Sequence, residues 1–165
     1  MTYQWLTILV SLLFSAFFSG MEIAYVSSNK IHIELEKKQN NFLAKTLSKL
    51  TAKPSKFIAT MLIGNNVALV IYGFFMGDLL LNWFQTLLPS NYQVINLALS
   101  DFTLLTQTVI STFIILVTAE FLPKVFFQIY SNTLLRVFAI PAYLFYVLFS
   151  FISDFVIWMS DLVLK

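Results

Sequence analysis

Charged residues divide the chain into long uncharged stretches, 1–21, 57–77, 79–100 and 102–119. A helix that crosses the hydrocarbon core of a bilayer needs about 20 predominantly apolar residues. Three spans are therefore predicted, at about 3–27, 57–81 and 102–130. Trp5 is placed for the outer interface of the first. Between Asn82 and Asp101 lie Trp83, Pro89, Ser90, Asn91, Tyr92 and Asn96, turn formers and interface aromatics that read as the outer loop. Residues 30–54 set Ile31, Ile33, Leu35, Phe42, Leu43, Leu47 and Leu50 among lysines, the pattern of surface helices lying along a leaflet. Pro54 ends that stretch. The segment 137–164 is again apolar, broken by Pro141, Asp154 and Asp161. It reads either as a fourth span or as a bent interfacial helix.

Composition agrees with a lipid solvent. Hydrophobic residues make up 59% and charged residues 11%, against roughly a quarter charged in soluble domains, and the mean hydropathy is +0.82. The expected class is an all-α integral membrane protein with three transmembrane helices and juxtamembrane helices on the cytoplasmic side. With no cysteine, disulfides and thiolate ligation are excluded. The net charge of +2 is too small to argue for nucleic acid. Its distribution says more, because seven of the ten basic residues lie between Lys30 and Lys56. That places this segment in the cytoplasm and the N-terminus outside. No basic residue precedes the first apolar run, so a retained helix is favoured over a cleaved signal.

Polar groups inside the spans are the candidate chemistry, since each is costly unless paired or lining a hydrated cavity. The first span carries Ser19, Gly20 and Glu22, with Ser19 and Glu22 on one face. The second carries Gly64, Asn65 and Asn66. The third carries Glu120 and Pro123. Proline at 123 has no N–H for the carbonyl of Ala119, which frees a backbone oxygen beside the Glu120 carboxylate. Transporters use such points to hold cations. At a rise of about 1.5 Å per residue, Ser19 to Glu22, Asn65 and Glu120 all fall roughly 10–15 Å inside the inner edge. Carboxylate, amide, hydroxyl and carbonyl oxygens suit a hard cation such as Mg²⁺ or Ca²⁺. No nucleophile and base arrangement lies in the spans, so an enzyme is not expected.

Each group also has a plainer reading. Ser19-Gly20 is a natural close-packing point, and Asn65 and Asn66 can simply hydrogen-bond neighbouring helices. Glu22 can neutralise Lys30 or Lys124. His32, beside Glu34 and Glu36, reads as a solvated surface residue, as does Asp78 near the outer end of the second span. Asp154 and Asp161 share a face and mark the polar side of an interfacial helix.

Phe18-Ser19-Gly20-Met21-Glu22-Ile23-Ala24, Leu62-Ile63-Gly64-Asn65-Asn66 and Glu120-Phe121-Leu122-Pro123-Lys124 together resemble the ordered motifs of the CNNM/CorC transmembrane domain, over roughly residues 5–140. The resemblance implies a homodimeric Mg²⁺ transporter or exporter in the cell membrane, with three spans, a juxtamembrane belt and a cytoplasmic C-terminus. Cytosolic CBS domains are expected downstream and are not in this sequence. By motif match the ion ligands fall on Ser19, Asn65 and Glu120, with carbonyls near Gly20 and Ala119. Glu22, Asn66 and Pro123 are supporting residues. Many members carry a second asparagine where this chain has Leu69, and glycine where it has Ala119. Asn66 is no simple substitute, since adjacent helical residues point about 100° apart. The implied mechanism is alternating access with Na⁺ as a candidate coupling ion. The contrasting function is a membrane anchor and dimerisation scaffold that regulates another transporter.

Overall fold

The computed structural model describes residues 2–39, 42–88 and 92–163, and every regular element among them is helical. Three helical stretches are long and apolar enough to cross a membrane: Tyr3–Ser27, Pro54–Leu87 and Thr103–Ile129. The first lies in α1 (Thr2–Ser27). α2 (Lys30–Lys37) and α3 (Phe42–Thr51) follow, then α4 (Pro54–Leu87) as the second span. After α5 (Gln93–Asn96) and a π-helical turn at Leu97–Asp101, the third span is built from α6 (Thr103–Ile115), a second π-helical turn (Leu116–Phe121) and α7 (Leu122–Ile129). α8 (Ser131–Val137), α9 (Ala139–Leu148) and α10 (Ser150–Val163) complete the described chain.

The second span exceeds its expected bounds at both ends. Pro54 begins the helix rather than standing before it, because the N–H that proline lacks is unpaired at a first turn anyway. At the other end Asn82–Leu87 contains no helix breaker and stays helical. The expected outer loop is thereby corrected to a short connection: residues 82–87 belong to α4, and 93–101 are α5 and its π turn. Pro89, Ser90 and Asn91 lie outside the described residues, as do Leu164 and Lys165. The 137–164 segment is interrupted, as a broken fourth span or a bent interfacial helix would be. α8 and α9 meet at 63°, and a further break at Phe149 precedes α10.

Packing forms two apolar clusters with polar groups between them. At the lysine-rich end, Phe18, Met21 and Ala24 of α1 meet Phe57 and Met61 of α4, Leu47 and Leu50 of α3, and Leu135, Ala139 and Ala142 from α8 and α9. Toward the opposite end, Ile8 packs with Tyr72, Met76, Leu80 and Phe84. Along α1, Ser11, Ser15 and Ser19 are buried between the two. α2 starts with Asn29, whose Oδ1 accepts from the Ile31 N–H at 2.9 Å. The Asn29 N–H donates to Asn132 Oδ1 at 2.9 Å, which ties α8 to the end of α1.

α10 is fastened to the foot of α4 by a polar cluster. Lys56, 8% exposed, donates through Nζ to Asp154 Oδ2 and to Ser150 Oγ, each at 2.6 Å. Next to them the hydroxyls of Thr60 and Ser153 lie 2.8 Å apart. Asp154 is thus more than the polar side of a surface helix: it is the partner of a buried ammonium. That hydrogen bond, with the nearby charges of Lys56 and Lys53, holds its carboxyl below the ordinary aspartate value. A lowered carboxyl pKa stabilises the fold above the unfolded value, about 3.9, and the contribution is lost as pH falls through the folded value. The thermal midpoint of the wild type should therefore exceed that of Asp154→Asn at neutral pH. The difference should shrink below about pH 4. A pH-independent difference in thermal scans would contradict this role.

Candidate functional site

The third span departs from α-helical pairing at the glutamate motif. Without an N–H at Pro123 the regular ladder cannot close onto Ala119. The preceding turn widens, and the Leu122 N–H reaches back to the Val117 carbonyl. A π turn inside an α-helix is rare and is frequently a functional point. Here it leaves the Ala119 carbonyl facing the first span, where Ser19 Oγ donates to it at 2.8 Å in a fully buried contact. Ser19 is 1% exposed and Ala119 0%.

One turn further along α1, Ser15 Oγ donates to Asn65 Oδ1 at 2.6 Å, also buried. Two buried hydrogen bonds one turn apart on α1 thus tie the first span to the second and to the third. Asn65 meets Ser15 rather than Ser19. Ser15 is the site residue that sequence reasoning missed, although its position four before Ser19 puts the two on one helix face. Asn66 is exposed, and Leu69 is half-buried.

The carboxylates lie near these bonds along the chain. Glu120 and Glu22 are both half-buried, and Glu22 interacts electrostatically with Lys124 and with Glu120. Among the described residues neither glutamate is in a salt bridge. No group of three His, Cys, Asp or Glu side chains is assembled there either. Any cation held here would be bound by neutral oxygens with at most two carboxylates, an oxygen set suited to a hard ion. His32 is exposed on α2, outside the three spans, with Nε2 3.9 Å from Glu36 Oε1.

The motif glycines have a packing role as well. A Cβ at Gly20 would stand 2.6 Å from the Phe127 ring of α7, and one at Gly64 would stand 2.6 Å from the Phe18 ring. These glycines let α1 approach α7 and α4 closely enough for the hydroxyl contacts to form. Further from the lysine-rich end, Tyr72 Oη donates to the Ser111 carbonyl at 3.3 Å. Gln107 packs against Gly77 with its Oε1 buried and unpaired among the described residues. Gln107 lay within an uncharged window and sequence reasoning passed over it.

The sequence is similar to known proteins. The family described as the cyclin M transmembrane N-terminal domain, CNNM, matches residues 5–165. The chain is also similar to the UPF0053 inner membrane protein YfjD of Escherichia coli (strain K12). The two are 30% identical over 118 residues, which is 72% of this chain and 24% of that protein. The chain thus spans about a quarter of that relative's length. The family match covers the motifs on all three spans together with the π turn and the breaks that follow it. This membrane-embedded chain belongs to the CNNM family through its transmembrane N-terminal domain.

Proposed function

We propose that this domain binds a divalent cation, Mg²⁺ in the first instance, between its three spans and moves it across the membrane by alternating access. The observation that carries the proposal is the buried Ser19 hydroxyl on the Ala119 carbonyl, 2.8 Å apart beside Glu120. Mg²⁺ takes oxygen ligands at about 2.0–2.1 Å and usually keeps several waters, so a few protein oxygens suffice. Ser19 would turn a lone pair to the ion, the freed Ala119 carbonyl would give a second oxygen, and Glu120 would supply charge. Asn65 would add an amide oxygen, and the carbonyl of Gly20 is a further candidate ligand.

The same oxygens now hold α1 to the third span and to α4. Ligation would replace those inter-helix hydrogen bonds with bonds to the ion. Binding and helix rearrangement are then linked, which alternating access requires. Na⁺ is the candidate coupling ion. The chain would work as a homodimer, with its lysine-rich end in the cytoplasm. Asn66 supports a second copy: an exposed amide in the middle of an apolar span is costly against lipid and is satisfied across a protein interface.

Calorimetry with Mg²⁺ and flux in proteoliposomes, with and without a Na⁺ gradient, test this reading. Asn65→Leu removes one neutral ligand and should weaken binding about tenfold, the equivalent of about 1.4 kcal/mol. Affinity untouched by that substitution would remove Asn65 from the site. Binding without flux of any divalent ion would favour a regulatory scaffold. Crosslinking in the same vesicles should give a single dimer band.

A further inference from the structure

A second feature lies away from the ion site, at the lysine-rich end. α3 buries Ala44, Thr46, Leu47 and Leu50 and exposes Phe42, Lys45, Ser48 and Lys49. Between this face and α9 is a cavity of about 430 Å³ lined by Lys37, Lys45 and Lys49 with Thr46, Ser48 and Tyr143. Cavities of about this size hold small ligands.

The donors divide clearly. Lys37 Nζ is taken by Glu34 Oε1 at 2.6 Å, and Thr46 Oγ1 donates to the Phe42 carbonyl at 3.0 Å. Glu36, the other carboxylate of α2, pairs with Arg136 at 3.2 Å. Among the described residues Lys45 and Lys49 are in no salt bridge, and Lys49 Nζ stands 5.4 Å from the centre of the Tyr143 ring. Lys45 and Lys49 are four residues apart on one helix, a spacing at which like charges repel. An anion between them would relieve that repulsion and accept hydrogen bonds from both ammonium groups and from the Ser48 hydroxyl.

We propose that this cavity is a phosphate-binding site, taking the phosphate of an anionic lipid headgroup or of a small soluble molecule. Phe42, 70% exposed at its rim, gives a lipid chain an apolar surface beside the headgroup. Tyr143 is one ring removed from the foot of α4: it stacks on Tyr146 at 6.2 Å, and Lys56 Nζ lies 5.5 Å from the Tyr146 ring centre.

The test is calorimetry on the purified chain in detergent, titrated with dihexanoyl phosphatidylglycerol and, separately, with inorganic phosphate. Lys45→Gln with Lys49→Gln should weaken binding about tenfold or more, since each removes one ammonium from the anion's surroundings. Lys30→Gln with Lys38→Gln removes the same charge from α2 and should weaken it less than about threefold if the cavity is specific. All four lysines are exposed, so both double variants should keep the wild-type thermal midpoint. Binding of the lipid but not of inorganic phosphate assigns the site to a headgroup. Binding of both, with mutual competition, assigns it to soluble phosphate. Equal losses in the two double variants, or no binding of either probe to the wild type, would overturn the proposal.

Discussion

Glu120→Gln is expected to weaken Mg²⁺ binding by about a hundredfold or more, corresponding to about 2.7 kcal/mol, while leaving the thermal midpoint within a degree or two of the wild type. The substitution keeps the side chain's shape and removes only its charge. Because Glu120 takes part in no salt bridge among the described residues, no structural ion pair is broken. Two opposite unit charges about 4 Å apart attract by about 4 kcal/mol at an effective dielectric of 20, and a divalent ion doubles the term before desolvation is subtracted. A loss of two orders of magnitude is therefore a conservative expectation. Lys124 supplies a test of sign, since it acts electrostatically on the neighbouring Glu22. If the ion sits in this field, Lys124→Gln should tighten binding. Calorimetric affinity unchanged in Glu120→Gln would remove the carboxylate from the site.

The legibility of this fold follows from what lipid demands. Uncharged stretches of about 20 residues have few alternatives to spanning, so the three spans could be read from charge positions once the turn formers of 82–101 had set aside the fourth stretch. The ends were harder. Asn82–Leu87 mixes amide, hydroxyl and aromatic side chains, which suit a loop and a helix end at the interface equally well. At the site, Pro123 was informative because a missing N–H has a predictable victim four residues back, and the Ala119 carbonyl is indeed the one that Ser19 reaches. Ser15 shares a helix face with Ser11 and Ser19, but serines in an apolar helix read as small packing residues until the facing helix is known, and its partner Asn65 is 50 residues away. The pairing of Lys56 with Asp154, 98 residues apart, leaves no local pattern to find. Sequence could place Asp154 on a polar face but could not name its partner.

Gly20→Ala should be among the most destabilising single-methyl changes in the chain. The added Cβ would sit 2.6 Å from Cγ and Cδ2 of Phe127. Cγ is the root of that ring, so a χ2 flip does not clear the clash. The ring is also held from behind, stacked on Phe138 at 5.7 Å and 22°. Gly64→Ala meets Phe18 at the far end of its ring, Cε1 and Cζ at 2.6 Å. Phe18 is hemmed in by Phe17 at 5.3 Å and Phe145 at 4.8 Å, so its freedom to retreat is small. Overpacking of this kind costs about 1–3 kcal/mol, occasionally more. Gly73→Ala is the control, because a Cβ there meets nothing within 4 Å and alanine is the better helix former by about 1 kcal/mol. Thermal scans should order the variants with Gly20→Ala lowest, Gly64→Ala next, and Gly73→Ala at or above the wild type. Pairing Gly20→Ala with Phe127→Leu should recover part of the loss, because the two sites share one contact and their effects will not add. The displacement also reaches function: pushing α1 off α7 pulls Ser19 away from the Ala119 carbonyl, so Gly20→Ala should lose Mg²⁺ affinity along with stability. A Gly20→Ala protein with wild-type midpoint and wild-type affinity would show that α1 does not need its close approach to the third span.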